Sequence, residues 1–338
     1  MNNKYLLWIY ISFVILTGSI QSIIIPIIVT HYESLYFILM FSSFQLCIIF
    51  GVTLWIINKR KFTWPKNIKT LLISGFCNAG MAICMIYAAN PQRTPIIVQS
   101  ILSGLIVLPS VVFTKYILHK KVIYNPYYIS ISIILLCISI GIVLIPEFEH
   151  WNVMNIVWII IFSIGIIFRS IFSVLEEKYI IDTQDSSILN KITIVFYNRI
   201  FQFIFMIIFC WLELFIGYTN NPVLAFTNSF TTFKENFIAC LLLELFVGVY
   251  LLNYCASVYL NAISTNYNMI ASAIINPLTI VFFTIFDNLN SGIKYPLYVI
   301  IPGLFCSIIA TILWIKGEKK IAYNEYTTID DPSDIILE

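Results

Sequence analysis

Apolar residues run along this chain in blocks of about 20 or more, and polar residues gather between them. The blocks cover 6–30, 35–57, 68–88, 94–117, 127–146, 153–175, 191–217, 236–260, 266–286 and 295–315. A helix rises about 1.5 Å per residue and a bilayer core is roughly 30 Å thick, so each block can cross it. The pattern predicts an all-α integral membrane protein of ten transmembrane helices. Function then lies in the polar groups that face the bundle interior. The first block lacks a short apolar core followed by a small-residue cleavage site, so it is expected to be a retained helix.

Composition agrees with the pattern. The 338 residues are 60% hydrophobic and only 11% charged, with a mean hydropathy of +0.91. A water-facing surface needs more charge than that. The net charge of +2 is too small to suggest nucleic acid. All 8 cysteines fall inside the apolar blocks without CxxC spacing, which reads as apolar packing and not as a metal site.

Lysine and arginine assign the sides. Lys59, Arg60, Lys61, Lys66 and Lys69, then Lys115, Lys120 and Lys121, then Lys178 and Lys191, then Lys316, Lys319 and Lys320 occupy alternate loops, with Lys4 on the same side. The opposite loops hold Arg93, Lys234 and Lys294. The positive-inside rule places both termini in the cytosol, and an even helix count requires them to share a side. Ten helices divide as two inverted five-helix repeats, 1–150 and 151–318, followed by a disordered cytosolic tail over 319–338. The longest loops are expected at 176–190 and 218–235.

Two blocks look like counterparts. TPIIVQSILSGLIVLP (Thr94 to Pro109) and STNYNMIASAIINPLTIVFF (Ser264 to Phe283) each open with Ser/Thr capping chemistry and carry small residues. Each also has an amide, Gln99 or Asn276, and a deep proline, Pro109 or Pro277. Paired, interrupted helices near mid-membrane point to a substrate site.

Candidate site residues follow. Arg169 and Arg199 fall within helices, where a charge costs on the order of 2.5–3.5 kcal/mol. Each either snorkels or pairs with Glu176 or Glu177, or holds a substrate carboxylate or phosphate. Glu244, within the eighth block, is either a proton carrier or an interhelical hydrogen-bond partner. Gln21, Asn78, Gln99, Ser103, Ser272 and Asn276 are the remaining candidates for the substrate site.

NAGMAICMIYAANPQRTPIIVQSILSGLIVLP, then YILHKK, YNPYYISISIILLCISIGIVL, SVLEEKYIID and ISTNYNMIASAIINPLTIVFF, resemble in order and spacing the chloroquine-resistance-transporter-like family of the drug/metabolite transporter superfamily. The resemblance covers most of residues 70–315. The parasite members' cysteine-rich segment between helices 7 and 8 has no counterpart, since 218–235 carries no cysteine. The resemblance implies a ten-helix carrier of small organic solutes (amino acids, short peptides, thiols or cationic drugs) working by alternating access, and a monomer is expected. It also implies an endosomal, lysosomal or vacuolar membrane, with the plasma membrane as the alternative.

GxSxG, HExxH and Walker A patterns are all missing from the sequence, so no enzyme activity and no cofactor is expected. Energy would come from a gradient, protons included, or from exchange. The rivals are a nucleotide-sugar or sugar-phosphate exchanger and, from another class, a membrane-embedded enzyme or receptor.

The tail ends NEYTTIDDPSDIILE, in which Asp331 to Ile336 resembles an acidic di-leucine signal read by sorting adaptors. Replacing Ile335 and Ile336 by Ala is expected to move a tagged protein from an acidic organelle toward the cell surface. An unchanged distribution by microscopy would place the address elsewhere.

Overall fold

The computed structural model describes residues 3–61, 64–90, 92–118, 125–144, 153–185, 187–212, 221–263, 265–286, 289 and 297–329. Within its helices some side chains, those of Asn276, Pro277 and residues 318–329 among them, lie outside the description. The described residues form helices α1 (Asn3–Ile28), α2 (Leu35–Ile57), α3 (Ile68–Ala88), α4 (Ile96–Gly104), α5 (Val107–Ile117), α6 (Pro126–Leu144), α7 (Val153–Thr183) and α8 (Ile188–Ile208). They continue with α9 (Pro222–Glu235), α10 (Phe237–Asn261), α11 (Thr265–Ile285) and α12 (Leu297–Ile329). No strand occurs among them. Among the described residues, seven stretches are long and apolar enough to cross a bilayer, and α6 and α12 add the shorter apolar runs Pro126–Ser139 and Ile300–Trp314. Large apolar side chains such as Trp8, Ile48, Ile73, Ile160, Ile204 and Leu245 face outward. In water such a surface would aggregate, whereas in lipid it is the required exterior. The chain is a multi-pass helical membrane protein.

Helix boundaries follow local chemistry. Ser34 accepts a hydrogen bond from the Phe37 N–H and starts α2, and Ser187 does the same for the Asn190 N–H at the start of α8. Lys59 (φ 49°) and Arg60 (φ 65°) turn the chain into the left-handed region and stop α2. At the fourth apolar block Pro109 has no N–H to offer, and its ring crowds the carbonyl four residues back. The helix therefore breaks between α4 and α5. Tight bonds bridge the gap, from the Leu105 N–H to Leu102 O (2.9 Å) and from the Leu108 N–H to Leu105 O (3.0 Å). The hydroxyl of Ser170, on α7, donates to the Ile106 carbonyl at 3.2 Å and supplies a donor within the protein. The expected counterpart differs here, because α11 is unbroken from Thr265 to Ile285.

Two expected loops are helical instead. Residues 176–190 hold the end of α7, a helix of 31 residues, so the turn before α8 is only a few residues long. Residues 218–235 hold α9, a 14-residue helix whose Asn221 side chain caps the Leu224 N–H. In both segments polar residues occur within a helix that begins or ends outside the apolar block.

The packing is not sequential. α3 lies along α7, α6 along α12, α1 along α10 and α11, and α2 and α3 against α8. α11 also meets α4, α5, α7, α10 and α12, which places it at the centre. Ser132 and Ser139 of α6 donate to the Ala310 and Gly303 carbonyls of α12, each at 2.7 Å. Between α1 and α2, burial pushes the Tyr32 phenol up to about 12, and its O–H donates to the Ala239 carbonyl at 2.9 Å.

Close approach depends on missing side chains. A Cβ on Gly75 would stand 2.4 Å from Phe201 Cβ and 3.1 Å from the Gln202 backbone nitrogen. Gly75→Ala is therefore expected to separate α3 from α8 at a cost of about 1–3 kcal/mol. Gly248→Ala, whose Cβ would meet nothing within 4 Å, should hold or raise stability. Thermal unfolding in detergent checks the pair, and equal shifts would mean that this contact does not depend on glycine.

Candidate functional site

A cavity of about 180 Å³ lies inside the bundle, lined by α1–α4, α7, α8, α10 and α11. Each helix contributes one face at helical spacing. On α7 the face is Arg169, Ser173 and Glu176; on α10 it is Tyr250, Tyr254, Ser257 and Asn261; on α11 it is Asn268, Ser272 and Thr279. Steps of three, four and seven residues return to the same side of a helix. α1 adds Gln21 and Ser22, and α4 adds Gln99, Ser100 and Ser103.

Arg199 is only 1% exposed. Its Nη1 donates to Gln202 Oε1, and its Nη2 donates to the Tyr250 hydroxyl at 3.1 Å. The guanidinium lies 3.9 Å from the Tyr254 ring centroid and 4.7 Å from that of Tyr250. Aromatic faces attract a desolvated cation, so these rings replace part of the lost hydration. Arg199 Nε has no hydrogen-bond partner among the described residues.

Glu176 answers it from α7. Its Oε1 accepts from the Tyr254 hydroxyl (2.7 Å) and Asn198 Nδ2 (3.0 Å), and its Oε2 accepts from Asn261 Nδ2 (2.8 Å). Asn268 Nδ2 donates onward to Asn261 Oδ1 at 3.0 Å. Tyr254 thus stands between cation and carboxylate, its ring toward one and its hydroxyl toward the other. The neighbouring Glu177 accepts the Thr265 N–H at 2.8 Å, so a carboxylate on α7 caps α11.

The sequence-derived candidates are distributed as follows. Gln21, Gln99, Ser103, Arg169, Arg199 and Ser272 all line the cavity. Asn78 lies behind it, fully buried, donating to Gln202 Oε1 at 3.0 Å. Gln99 Nε2 donates to the carbonyls of Ala89 (2.9 Å) and Thr94 (2.6 Å), which fixes the turn between α3 and α4. The side chain of Asn276 lies outside the described residues. Glu244 is exposed on α10, accepts from Gln45 Nε2 at 2.7 Å and does not line the cavity.

Asn198, Tyr250, Tyr254, Asn261 and Asn268 were not among those candidates, and Glu176 was expected only as a pairing partner of Arg169 or Arg199. The apolar block ended at 175, so Glu176 fell into an expected loop. The available signal was the two amides Asn198 and Asn261, one beside Arg199 and one closing the eighth block.

No family model and no curated protein matches the chain. A solved structure described only as "Crystal structure of protein" superposes with a TM-score of 0.53 at 10% identity, over 89% of this chain and 98% of that one. The likeness is one of fold.

Tyr254→Phe deletes one of three donors to a buried carboxylate. It is expected to cost about 1–3 kcal/mol, read as a lower unfolding temperature in detergent. Tyr250→Phe, which leaves the Glu176 bonds intact, should cost less. The reverse order would remove Tyr254 from its bridging role.

Proposed function

We propose that the protein is a secondary-active or facilitative transporter of small organic solutes, of the chloroquine-resistance-transporter-like type, working by alternating access. The observation that carries this reading is the cavity, in which two arginines, a carboxylate and a ring of amides and hydroxyls are enclosed by an apolar bundle. Burying such groups in lipid is costly, and the usual return is a solute or ion path.

On this reading two inverted repeats form a ten-helix bundle with cytosolic termini, and the pairing of helices supports the repeats. Let α7, α8, α10, α11 and α12 be counterparts of α1, α2, α3, α4–α5 and α6. Then α3 against α7 becomes α10 against α1, and α1 against α11 becomes α7 against α4–α5; all four contacts are extensive. α2 with α8, α6 with α12, and α4 with α11 map onto themselves, and all three occur. A carrier built this way rocks one half against the other around a central site. On this reading the lipid bilayer surrounds a monomer, proton coupling through Glu244 acts at the contact between α2 and α10, and the organelle is an endosome, lysosome or vacuole.

The two cavity arginines also suit a sugar-phosphate or nucleotide-sugar exchanger. Counterflow into liposomes carrying the purified protein tests both readings, with amino acids, short peptides, thiols, sugar phosphates and nucleotide sugars as the panel. The expected result is exchange of at least one class well above protein-free liposomes. A folded, correctly inserted protein that exchanges none of them would overturn the transport reading.

A further inference from the structure

The cavity's charges do not balance. Its charged lining residues are Arg169, Arg199 and Glu176. Donors from Tyr254, Asn198 and Asn261 converge on the Glu176 carboxyl and favour its ionised form. With Glu176 ionised, the lining among the described residues carries one cation in excess. The two arginines are also not equivalent. Arg199 is enclosed by Gln202, Tyr250 and Tyr254 and belongs to the Glu176 network. Arg169 is half-buried, and its one bond within the described structure runs from Nη2 to Ser272 Oγ at 3.0 Å. A guanidinium carries five N–H donors in a planar fork, so most of those on Arg169 remain for a ligand.

We propose that Arg169 anchors the substrate's carboxylate, and that the substrate is a compact organic acid of net charge −1. This rests on the transport reading above for its cargo and on the cavity alone for its binding. A guanidinium fork pairs with a carboxylate through two parallel hydrogen bonds. Ser173, four residues on along the same face of α7, and Ser272 flank that position and can donate to the same group. A monoanion cancels the excess charge. A dianionic phosphate or diphosphate would leave a buried negative charge, and a cationic solute would add to the positive one, each costly at low dielectric. The volume argues the same way. About 180 Å³ is below the roughly 300–1,000 Å³ of pockets that enclose drug-sized ligands, which favours a compact solute.

The test is ligand-induced thermal stabilisation of the purified full-length protein. The probes are lactate, gluconate and glutamate at net charge −1, alanine as a zwitterion, glycerol 3-phosphate as a dianion and tetraethylammonium as a cation. At least one monoanion is expected to bind at least tenfold more tightly than each of the other three. Arg169→Gln should weaken that binding at least tenfold, and Arg169→Lys should weaken it less. Arg169→Lys, which keeps the charge, guards against a misfolded glutamine variant and should retain the charge preference. Binding by none of the monoanions, a preference for the cation or the dianion, or monoanion binding that Arg169→Gln leaves intact would each overturn the proposal. Liposome uptake separates it from the transport reading. A monoanion that binds through Arg169 but is never exchanged leaves the anion site standing and removes transport. Exchange of alanine or tetraethylammonium without competition by any monoanion does the opposite.

Discussion

A guanidinium almost wholly enclosed in an apolar bundle constrains everything around it. Arg199 must find donors' partners and opposite charge inside the protein, because neither water nor lipid supplies them. Meeting that demand recruits Gln202 from its own helix, Tyr250 and Tyr254 from α10, and, through Tyr254, Glu176 from α7. Glu176 then draws in Asn198 and Asn261, and Asn261 draws in Asn268 of α11. One buried cation thereby fixes the relative register of α7, α8, α10 and α11. Apolar packing alone would leave that register loose, since lipid tails compete equally well for leucine and isoleucine.

The same accounting explains the break at Pro109. Loss of one backbone donor frees polar atoms at membrane depth, and a tight turn with the Ser170 hydroxyl absorbs the change. The break lies in the wall that presents Gln99, Ser100 and Ser103 to the cavity.

Helices were legible in the sequence wherever an apolar run and a membrane core impose the same length. α2 and α3 match the expected 35–57 and 68–88 at both ends. Polar stretches that remain helical were not legible. α7 continues to Thr183 and α9 occupies an expected loop, because capping and packing, not hydropathy, decide those residues. For the site, individual polar residues in apolar blocks identified Gln21, Gln99, Ser103, Arg169, Arg199 and Ser272 as cavity-lining. Their division of labour was invisible. That Arg199 is enclosed while Arg169 keeps open donors depends on which aromatic rings stand opposite, and ring placement is a tertiary property. Glu244 illustrates the converse, since a carboxylate within an apolar block can face outward when Gln45 of a neighbouring helix bonds it.

On the repeat reading, one asymmetry carries mechanical meaning. The contact of α3 with α8 and that of α10 with α2 are equivalent by the exchange of halves, yet the first is extensive and the second sparse. In the first, Gly75 brings the α3 backbone against Phe201 and Gln202. At the corresponding depth in the second, the Glu244 carboxylate and Gln45 span the interface through a single hydrogen bond of 2.7 Å. Both contacts cannot be tight at once if the cavity is to open to one side, and packed interfaces switch between discrete arrangements without deforming smoothly. On that reading the form described here is the one packed more closely between α3 and α8 than between α2 and α10.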